Sequence, residues 1–224
     1  MMRLMSYFIT GTDTGVGKTH VTALLLRAFN EAGRPALGYK PLACGDRLDA
    51  DILRAAGAEP SLPLNAINPV FYRVPAAPMA AAMIENRVPD LAAVRAGFDA
   101  LAARATTVLV EGAGGWLVPI SESYSMADLA ADLGLPVLVV VNNKLGALNH
   151  TLLTVHAIEA RGLRCAGLLL NQVADERDSA SISNRILLEK LLPHVPILAE
   201  IMHGEEILDP GVVAALEGSP PGSG

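Results

Sequence analysis

Aromatic side chains are scarce in this 224-residue chain, which has four phenylalanines, four tyrosines and one tryptophan. Proteins that bind single-stranded nucleic acid stack the bases on several exposed aromatic rings, so this composition argues against that function. Basic residues are also in the minority, because 17 lysines and arginines stand against 23 acidic residues and the formal net charge is −6. No basic stripe runs along the chain, and a nucleic acid partner is therefore not expected.

Cysteine is nearly absent, and the two cysteines, Cys44 and Cys165, have no metal-ligand spacing. Reduced thiols in a cytoplasmic protein are the simplest interpretation. The longest purely apolar runs, such as residues 137–141, have the length of a strand, so the sequence predicts no transmembrane span. Residues 1–6 are too short and too soon interrupted for a signal peptide. We therefore expect a cytoplasmic protein without a membrane partner.

Apolar residues make up 51% of the chain, which is enough for a large hydrophobic core. Short β-rich runs alternate with helix-like segments, and most of these runs are continuously apolar. Strands show that pattern when helices cover both faces of a parallel sheet. We predict one doubly wound α/β domain over residues 1–218, with a mostly parallel sheet between two helical layers. The Pro-, Gly- and Ser-rich residues 219–224 are predicted to form a disordered tail.

The predicted strands are Tyr7–Thr10, Ala36–Lys40, Thr107–Glu111, Val137–Val141, Gly167–Asn171 and Ile197–Ile201. The predicted helices are Lys18–Glu31, Asp49–Ala56, Leu91–Arg104, Met126–Asp132, Asn149–Ala160 and Ser181–Leu192. The proline-rich stretch from Pro60 to Pro89 is predicted to be an excursion over the surface. Ligands of such folds bind beyond the carboxyl ends of the strands, so the residues that follow each strand are the candidate site.

The most informative segment, Gly11–Thr19, joins the first predicted strand to the first predicted helix. Its glycine-rich turn ends in Gly-Lys-Thr, which directs backbone N–H groups and a helix N-terminus at one point. Phosphate oxygens bind at such a point, where Lys18 adds positive charge and the Thr19 hydroxyl is available to Mg²⁺. The usual P-loop pattern has glycine at position 12, where this chain has Thr12. The order of strand, turn and helix nevertheless predicts a nucleotide phosphate site.

Charged residues end two further predicted strands. Lys40 faces the expected ligand crevice, where a cation stabilises a transferring phosphoryl group or an anionic substrate, although a solvated surface lysine is the alternative. Glu111 precedes a glycine-rich turn and can hold Mg²⁺. Asp51 lies in a first helical turn, where it either completes the Mg²⁺ site with Thr19 and Glu111 or caps the helix. Asp49 competes with Asp51 for the capping role.

The segment Asn142–His150 follows the fourth predicted strand. It is suited to bind a carboxylate through N–H groups and Asn149 at a helix N-terminus, and a simple capped turn is the alternative. His150 has no acidic or nucleophilic companion nearby in the sequence, so a structural role is expected. No Ser/His/Asp or Cys/His arrangement stands out.

Taken together, the motifs resemble the dethiobiotin synthetase family, the ligases of the biotin pathway. The shared segments occur in family order and are Thr10–Thr14 with Gly17–Thr19, Gly38–Pro41, Val110–Trp116, Lys144–Gly146 with Asn149–His150, and Gly167 with Asn171. The resemblance implies a P-loop NTPase-like fold. It also implies that 7,8-diaminopelargonate, CO₂ and ATP, with Mg²⁺, are converted to dethiobiotin, ADP and phosphate.

The same resemblance implies roles for individual residues. The nucleotide-binding residues would be Gly15, Val16, Gly17, Lys18, Thr19, His20, Asp51, Glu111, Gly112, Ala113, Gly114, Asn171 and Gln172. The diamine-binding residues would be Thr14, Lys40, Cys44, Gly114, Gly115, Leu145, Gly146 and Asn149. The Mg²⁺ ligands would be Thr19, Asp51 and Glu111. The catalytic residues would be Lys40, Lys18 and Thr14. A homodimer is also implied, in which Leu145–Asn149 of one subunit would bind the substrate carboxylate in the other subunit's site.

The chain departs from the family pattern at three places. Cys44 stands where serine is common, Asn184 aligns with a tyrosine that some members use on the carboxylate, and Glu200–His203 replaces the usual Gly-Glu-Ile-Pro near adenine. Two other functions stay open at this stage. One is a P-loop C–N ligase of the amidating type, and the other is a partition-type dimerising ATPase. The latter carries a lysine where this chain has Asp13.

Overall fold

A six-stranded parallel sheet lies at the centre of the computed structural model, which describes residues 5–176 and 178–218. The predicted tail, 219–224, lies outside the described residues. The strands are β1 (Tyr7–Gly11), β2 (Ala36–Tyr39), β3 (Leu42–Cys44), β4 (Val70–Tyr72), β5 (Thr107–Gly115), β6 (Pro119–Ser121), β7 (Tyr124–Ser125), β8 (Val137–Asn142), β9 (Cys165–Asn171) and β10 (Ile197–Ile201). The helices are α1 (Lys18–Glu31), α2 (Leu48–Ala56), α3 (Leu64–Ile67), α4 (Pro78–Ile84), α5 (Leu91–Ala102), α6 (Met126–Leu133), α7 (Ala147–Ala160), α8 (Ser179–Leu191) and α9 (Gly211–Gly218).

The strand order of the central sheet is β10-β9-β8-β1-β5-β2. Strand β1 lies between β8 and β5, and the chain later inserts β5 between β1 and β2. Ile9 of β1 is in register with Glu111 of β5, and Tyr39 of β2 is in register with Val110. Because all these pairs are parallel, the residues that follow β1, β2 and β5 meet at one edge of the sheet.

The apolar runs are buried on both faces of the sheet, as the continuous pattern predicts. Every residue of β1 and β9 is buried, and so are all residues of β8 except Asn142. Helix α1 covers the sheet with a buried row that includes Val21, Leu25 and Phe29. The predicted α/β class with a mostly parallel sheet between helices is therefore confirmed.

The stretch from Pro60 to Pro89 differs from the prediction of a surface excursion. It contains α3, β4 and α4, and β4 pairs in parallel with β3 as a second small sheet. Prolines divide its apolar residues into runs that are too short to predict a helix or a strand. Ile67 and Tyr72 are nevertheless fully buried. The segment also holds Lys40, because the Lys40 N–H donates to the Ile67 carbonyl at 2.8 Å. This stretch is therefore part of the framework of the site.

Helix α2 packs closely on the sheet at Gly38 of β2. A Cβ at this position would lie 2.7 Å from the Leu53 Cβ, closer than real Cβ contacts allow. We expect Gly38→Ala to lower the free energy of unfolding by about 1–3 kcal/mol, because the crowded backbones must separate. Urea denaturation measures this change.

The matched control is Gly218→Ala in α9, where an added Cβ meets no atom of the described residues within 4 Å. This control should keep wild-type stability. Equal stability of the two variants would contradict the packing described for β2 and α2.

Candidate active site

The turn between β1 and α1 has the backbone geometry of a phosphate-binding loop. Gly15 and Gly17 have φ angles of 74° and 84°, in the left-handed region that favours glycine. A Cβ at Gly17 would lie 2.2 Å from the Asn171 Nδ2, so a larger residue could not be placed there. The side chain of Lys18 folds back over the turn, and its Nζ donates to the Asp13 carbonyl at 3.1 Å. The turn therefore presents N–H groups and an ammonium group together.

Lys18 lies in a setting that disfavours its own charge. Burial lowers the pKa of Lys18 to about 8, and repulsion from Lys40 contributes in the same direction. Glu111 and Asp49 oppose this effect but do not cancel it. A polyphosphate that binds beside Lys18 supplies the missing negative charge, so the ammonium is poised to bind an anion.

Lys40 forms a buried ion-pair cluster with two carboxylates. Its Nζ lies 2.6 Å from the Glu111 Oε1 and 2.8 Å from the Asp49 Oδ2. It also donates to the Gly112 carbonyl at 3.3 Å. The Thr19 hydroxyl donates to the same Glu111 Oε1 at 2.8 Å. These residues are far apart in the sequence. They converge because β5 lies between β1 and β2, so the carboxyl ends of the three strands are neighbours at one edge of the sheet.

The charges of this cluster hold one another in the ionised form. Burial alone would lower the pKa of Lys40, but Glu111 and Asp49 outweigh it and the pKa is raised. Burial likewise opposes ionisation of Asp49, yet the charge and the hydrogen bond of Lys40 keep the Asp49 pKa below its ordinary value. Removing one member of such a buried pair costs about 3–5 kcal/mol, because the other charge is left uncompensated.

The second oxygen of Glu111 is free to bind a cation. Among the described residues, the Glu111 Oε2 is buried and has no hydrogen-bond partner. A buried carboxylate oxygen without a partner is costly, and a hard cation would satisfy it. The described residues contain no group of three or more His, Cys, Asp or Glu side chains that could hold a metal alone. The residues present fit an ion that also takes a hydroxyl and phosphate oxygens.

Asp49, and not Asp51, supplies the second carboxylate of the cluster. Asp51 pairs with Arg54 at 2.8 Å on the outer side of α2, and its side chain is 46% exposed. The two residues share the first turn of α2, but two positions along a helix point in different directions. The predicted residue Asp51 therefore lies outside the cluster, and Asp49 stands in its place beside Lys40.

A cavity of about 660 Å³ opens above this cluster. The predicted residues that line it are Thr14, Gly15, Gly17, Lys18, Thr19, His20, Lys40, Cys44, Ala113 and Gly114. The lining residues that were not predicted as site residues are Leu42, Ala43, Asp46, Asp49, Pro75, Ala76, Ala77, Pro78 and Val118. The wall at Pro75–Pro78 is small and apolar, so it carries no chemical signal in the sequence, whereas Asp49 was considered only as a helix cap.

The glycine-rich end of β5 closes against the phosphate-binding turn. Gly11 of β1 is in register with Gly115 of β5. A Cβ at Gly114 would lie 3.4 Å from the Thr14 Oγ1, so the Thr14 hydroxyl stands directly beside this backbone. Gly112 contributes its carbonyl to Lys40, as described above. Val16, in contrast, is buried below the turn and offers only its backbone to a ligand.

Cys44 ends β3 at the rim of the cavity and is half-buried. Burial raises the pKa of the Cys44 thiol, and the nearby Glu85 raises it further. The group is therefore a neutral thiol at ordinary pH. It offers a weaker hydrogen bond than a serine hydroxyl would.

Asn171 and Gln172 lie at the end of β9, outside the main cavity. The Asn171 Nδ2 donates to the Val16 carbonyl at 2.9 Å and so supports the phosphate-binding turn from behind. The Gln172 Nε2 donates to the carbonyls of Ala174 and Glu176 at 3.1 and 3.0 Å. A separate cavity of about 170 Å³ lies beside Gln172.

The predicted carboxylate-binding segment also lies apart from the main cavity. Leu145 is 79% exposed, and Asn149 and His150 are exposed on the first turns of α7. Gly146 has a φ of 92° and directs the chain into α7. Within one chain, therefore, the structure does not bring Leu145, Gly146 and Asn149 together with Lys18 and Lys40.

The comparisons with known proteins first define the class. A sequence model of the AAA domain family matches residues 5–207. The ATP complex of Cyanothece McdA superposes with a TM-score of 0.58 at 15% identity, covering 99% of both chains. Pyrococcus horikoshii MinD complexed with Mg-ADP gives a TM-score of 0.53 at 21% identity, covering 96% of this chain and 87% of that one. Together with the turn at Gly15–Thr19, these matches define a P-loop nucleotide-binding protein.

Closer relatives then define the family. The chain is 47% identical over 210 residues to the ATP-dependent dethiobiotin synthetase BioD of Akkermansia muciniphila, covering 94% of this chain and 98% of that protein. It is 42% identical over 221 residues to the protein of the same name from Aromatoleum aromaticum, covering 94% and 95%. The chain belongs to the dethiobiotin synthetase family. No helix within residues 5–176 and 178–218 is long and apolar enough to cross a bilayer.

The lowered pKa of Lys18 makes nucleotide affinity depend on pH. Only the protonated ammonium attracts the phosphates, so the affinity for a nonhydrolysable ATP analogue should fall as the pH rises above about 8. The dissociation constant should rise by up to about tenfold per pH unit, since one proton is taken up on binding. Isothermal titration calorimetry in buffers of different ionisation enthalpy measures both effects.

Lys18→Arg is the control, because a guanidinium stays charged throughout this range. Its affinity should vary with pH only as the nucleotide itself ionises. A wild-type affinity that follows the same pH curve as Lys18→Arg would contradict the assignment.

Proposed function

We propose that this chain is an ATP-dependent dethiobiotin synthetase, which closes the ureido ring of dethiobiotin from 7,8-diaminopelargonate, CO₂ and ATP. The observation that carries the proposal is the buried cluster of Lys40 with Glu111 and Asp49, which lies directly beside a P-loop lysine. This cluster joins a phosphate-binding turn to a cavity large enough for a second substrate. The names of the relatives supply the reaction that fits this arrangement.

The phosphates of ATP bind to the backbone N–H groups of Gly15–His20 and to Lys18. The left-handed glycines and the helix N-terminus at this turn support that assignment. The family resemblance assigns Asn171 and Gln172 to the adenine ring, and Asn171 contacts the phosphate-binding turn. Gly112–Gly114 border the opposite side of the phosphates.

Thr19, Glu111 and Asp49 are the residues that would hold Mg²⁺. They are hard oxygen donors, and the Glu111 Oε2 lacks a partner among the described residues. When bound, Mg²⁺ neutralises charge on the phosphate oxygens and fixes their position. The protein itself contributes the rigid placement of the donors, because Glu111 is fully buried in β5.

The diamine lies between Lys40 and the small apolar wall of the cavity. One amine adds to CO₂ and loses a proton, giving a carbamate. The Thr14 hydroxyl and the backbone of Gly114 and Gly115 seat the reacting end of the molecule, with Cys44 at the rim. The apolar side chains around Pro75–Pro78 and Val118 suit its hydrocarbon chain.

Phosphorylation solves the chemical difficulty of ring closure. A carbamate oxygen is a poor leaving group, so the second amine cannot displace it. Attack of that oxygen on the γ-phosphorus releases ADP and gives a mixed carbamic–phosphoric anhydride. The second amine then attacks the carbonyl carbon, the C–O bond breaks, phosphate departs and the amine loses its proton. Lys18 and Lys40 stabilise the negative charge that both steps carry, and the protein acts mainly by positioning.

A homodimer would complete the site. The loop Leu145–Asn149 lies away from the cavity of its own chain, yet it is suited to bind the substrate carboxylate. Exposed apolar side chains lie on the two helices attached to this loop, including Leu153 of α7 and Ile182 of α8, which are 62% and 67% exposed. A second subunit would cover this surface and receive the loop at its own cavity.

The direct test incubates the purified protein with diaminopelargonate, bicarbonate and MgATP and measures dethiobiotin by mass spectrometry. Product should form only when all of these are present. An amidating ligase would instead require ammonia or glutamine, and a partition-type ATPase would hydrolyse ATP without consuming the diamine. Retained ATP binding without any dethiobiotin would overturn the proposal.

The two aspartates of α2 allow a matched comparison. Asp49→Asn should lower kcat by about 10- to 100-fold and raise the Mg²⁺ requirement, because a charged partner of the cluster is lost. Asp51→Asn changes the same residue type one half-turn away, where the side chain contacts Arg54. Its kcat should stay within about twofold of wild type. Initial rates measured across Mg²⁺ concentration distinguish the two variants, and the reverse order would contradict the proposed ligand set of Thr19, Glu111 and Asp49.

A further inference from the structure

Asn184 points into the protein and not into the solvent. In the sequence analysis, Asn184 aligns with a tyrosine that contacts the substrate carboxylate in some family members. In this structure Asn184 is 2% exposed, although it lies on α8, whose neighbouring residues Ser183 and Arg185 are exposed or half-buried. Its Nδ2 donates to the Asn143 Oδ1 at 2.9 Å and to the Lys144 carbonyl at 3.1 Å.

Asn143 completes a reciprocal contact between α8 and the loop after β8. It is 4% exposed, and its Nδ2 donates to the Ser181 carbonyl of α8 at 3.2 Å. The backbone N–H of Asn143 donates to the Asn171 carbonyl at 2.9 Å. The two buried amide side chains thus join the loop to α8 and to the end of β9. Buried amides of this kind fix one geometry, because any other would leave polar groups unpaired.

Asp178 holds the same loop from its exposed side. Its Oδ2 accepts a hydrogen bond from the Leu145 N–H at 2.7 Å, while its Oδ1 caps α8 by accepting from the Ser181 N–H at 2.7 Å. Residues 143–145 are therefore attached to α8 along both edges. The next residue is Gly146, and α7 begins directly after it at Ala147.

These attachments set the direction of the first turn of α7. The Ala147 N–H bonds back to the Lys144 carbonyl at 3.0 Å, and that same carbonyl accepts from Asn184. Within the described part of the chain, no side chain caps α7. The N–H groups of its first turn are thus presented outward from a loop whose orientation depends on Asn184.

We propose that Asn184 is a positioning residue for recognition of the substrate carboxylate. It acts through Asn143 and Lys144, and it holds Leu145–Asn149 in the orientation that binds this group. The inference rests on the proposed function, and it gives Asn184 a role different from that of the aligned tyrosine, which would contact the carboxylate itself. Asn184 never touches the substrate.

The test compares two substrates that differ only at the carboxylate. Asn184→Ala should raise the KM for diaminopelargonate by about tenfold, the effect of losing hydrogen bonds that align a charged contact, while kcat stays within about twofold. The methyl ester of diaminopelargonate lacks the anionic group, and its KM should be unchanged. The preference for acid over ester should therefore fall about tenfold.

Asn30→Ala is the matched control. The Asn30 amide also ties two segments together, through Ala56 and Ala36, but it lies far from the loop. It should lower stability without changing the acid-to-ester preference. Asn184→Ser keeps one donor and should give an intermediate preference, which provides a readout where the alanine variant does not fold.

The outcomes separate the inference from the function on which it rests. If the wild-type protein makes no dethiobiotin, the proposed function fails. If the wild type is active and Asn184→Ala or Asn184→Ser keeps the wild-type acid-to-ester preference, the positioning role of Asn184 is overturned. An equal rise in KM for acid and ester would overturn it as well, because it would indicate general loosening of the site.

Discussion

The buried contact between Lys40 and Glu111 is the constraint on which the site depends. Two opposite charges lie 2.6 Å apart with almost no exposure, and neither could remain ionised there alone. The contact exists because the chain inserts β5 between β1 and β2, which brings the carboxyl ends of three strands together. Thr19 and Asp49 then reach the same point from the first turns of α1 and α2. The strand order therefore places all four side chains of the cluster at one edge of the sheet.

The two lysines of the site differ in charge balance, and this difference separates their roles. Lys40 already has Glu111 and Asp49 as partners, so its charge is permanent and its pKa is raised. Among the described residues, Lys18 has only the Asp13 carbonyl oxygen in hydrogen-bond contact, and burial lowers its pKa to about 8. Lys18 therefore gains most from an incoming polyphosphate. Lys40 offers a fixed cation where phosphate and carbamate would meet. One permanent cation and one that binds an incoming anion together suit a reaction between two anions.

Strand-end residues were predictable from the sequence because a parallel sheet gathers them whatever the details of packing. This logic found Lys18, Lys40 and Glu111. The sequence favoured Asp51 over Asp49, although both fit the first turn of α2, and only the tertiary position of that helix places Asp49 beside Lys40. It also missed the wall at Pro75–Pro78, because small apolar residues in a proline-rich stretch carry no periodic signal. Asn184 shows the same limit, as its direction depends on partners 40 residues away.

We propose that one cluster of charges brings the γ-phosphate of ATP and a carbamate oxygen into contact. Transfer of isotope from CO₂ to phosphate tests this claim most directly. With diaminopelargonate, MgATP and freshly added ¹⁸O-labelled bicarbonate, the released phosphate should carry an oxygen from CO₂, because the carbamate oxygen leaves with the phosphoryl group. Phosphate that takes its new oxygen only from water, while dethiobiotin forms, would contradict the account.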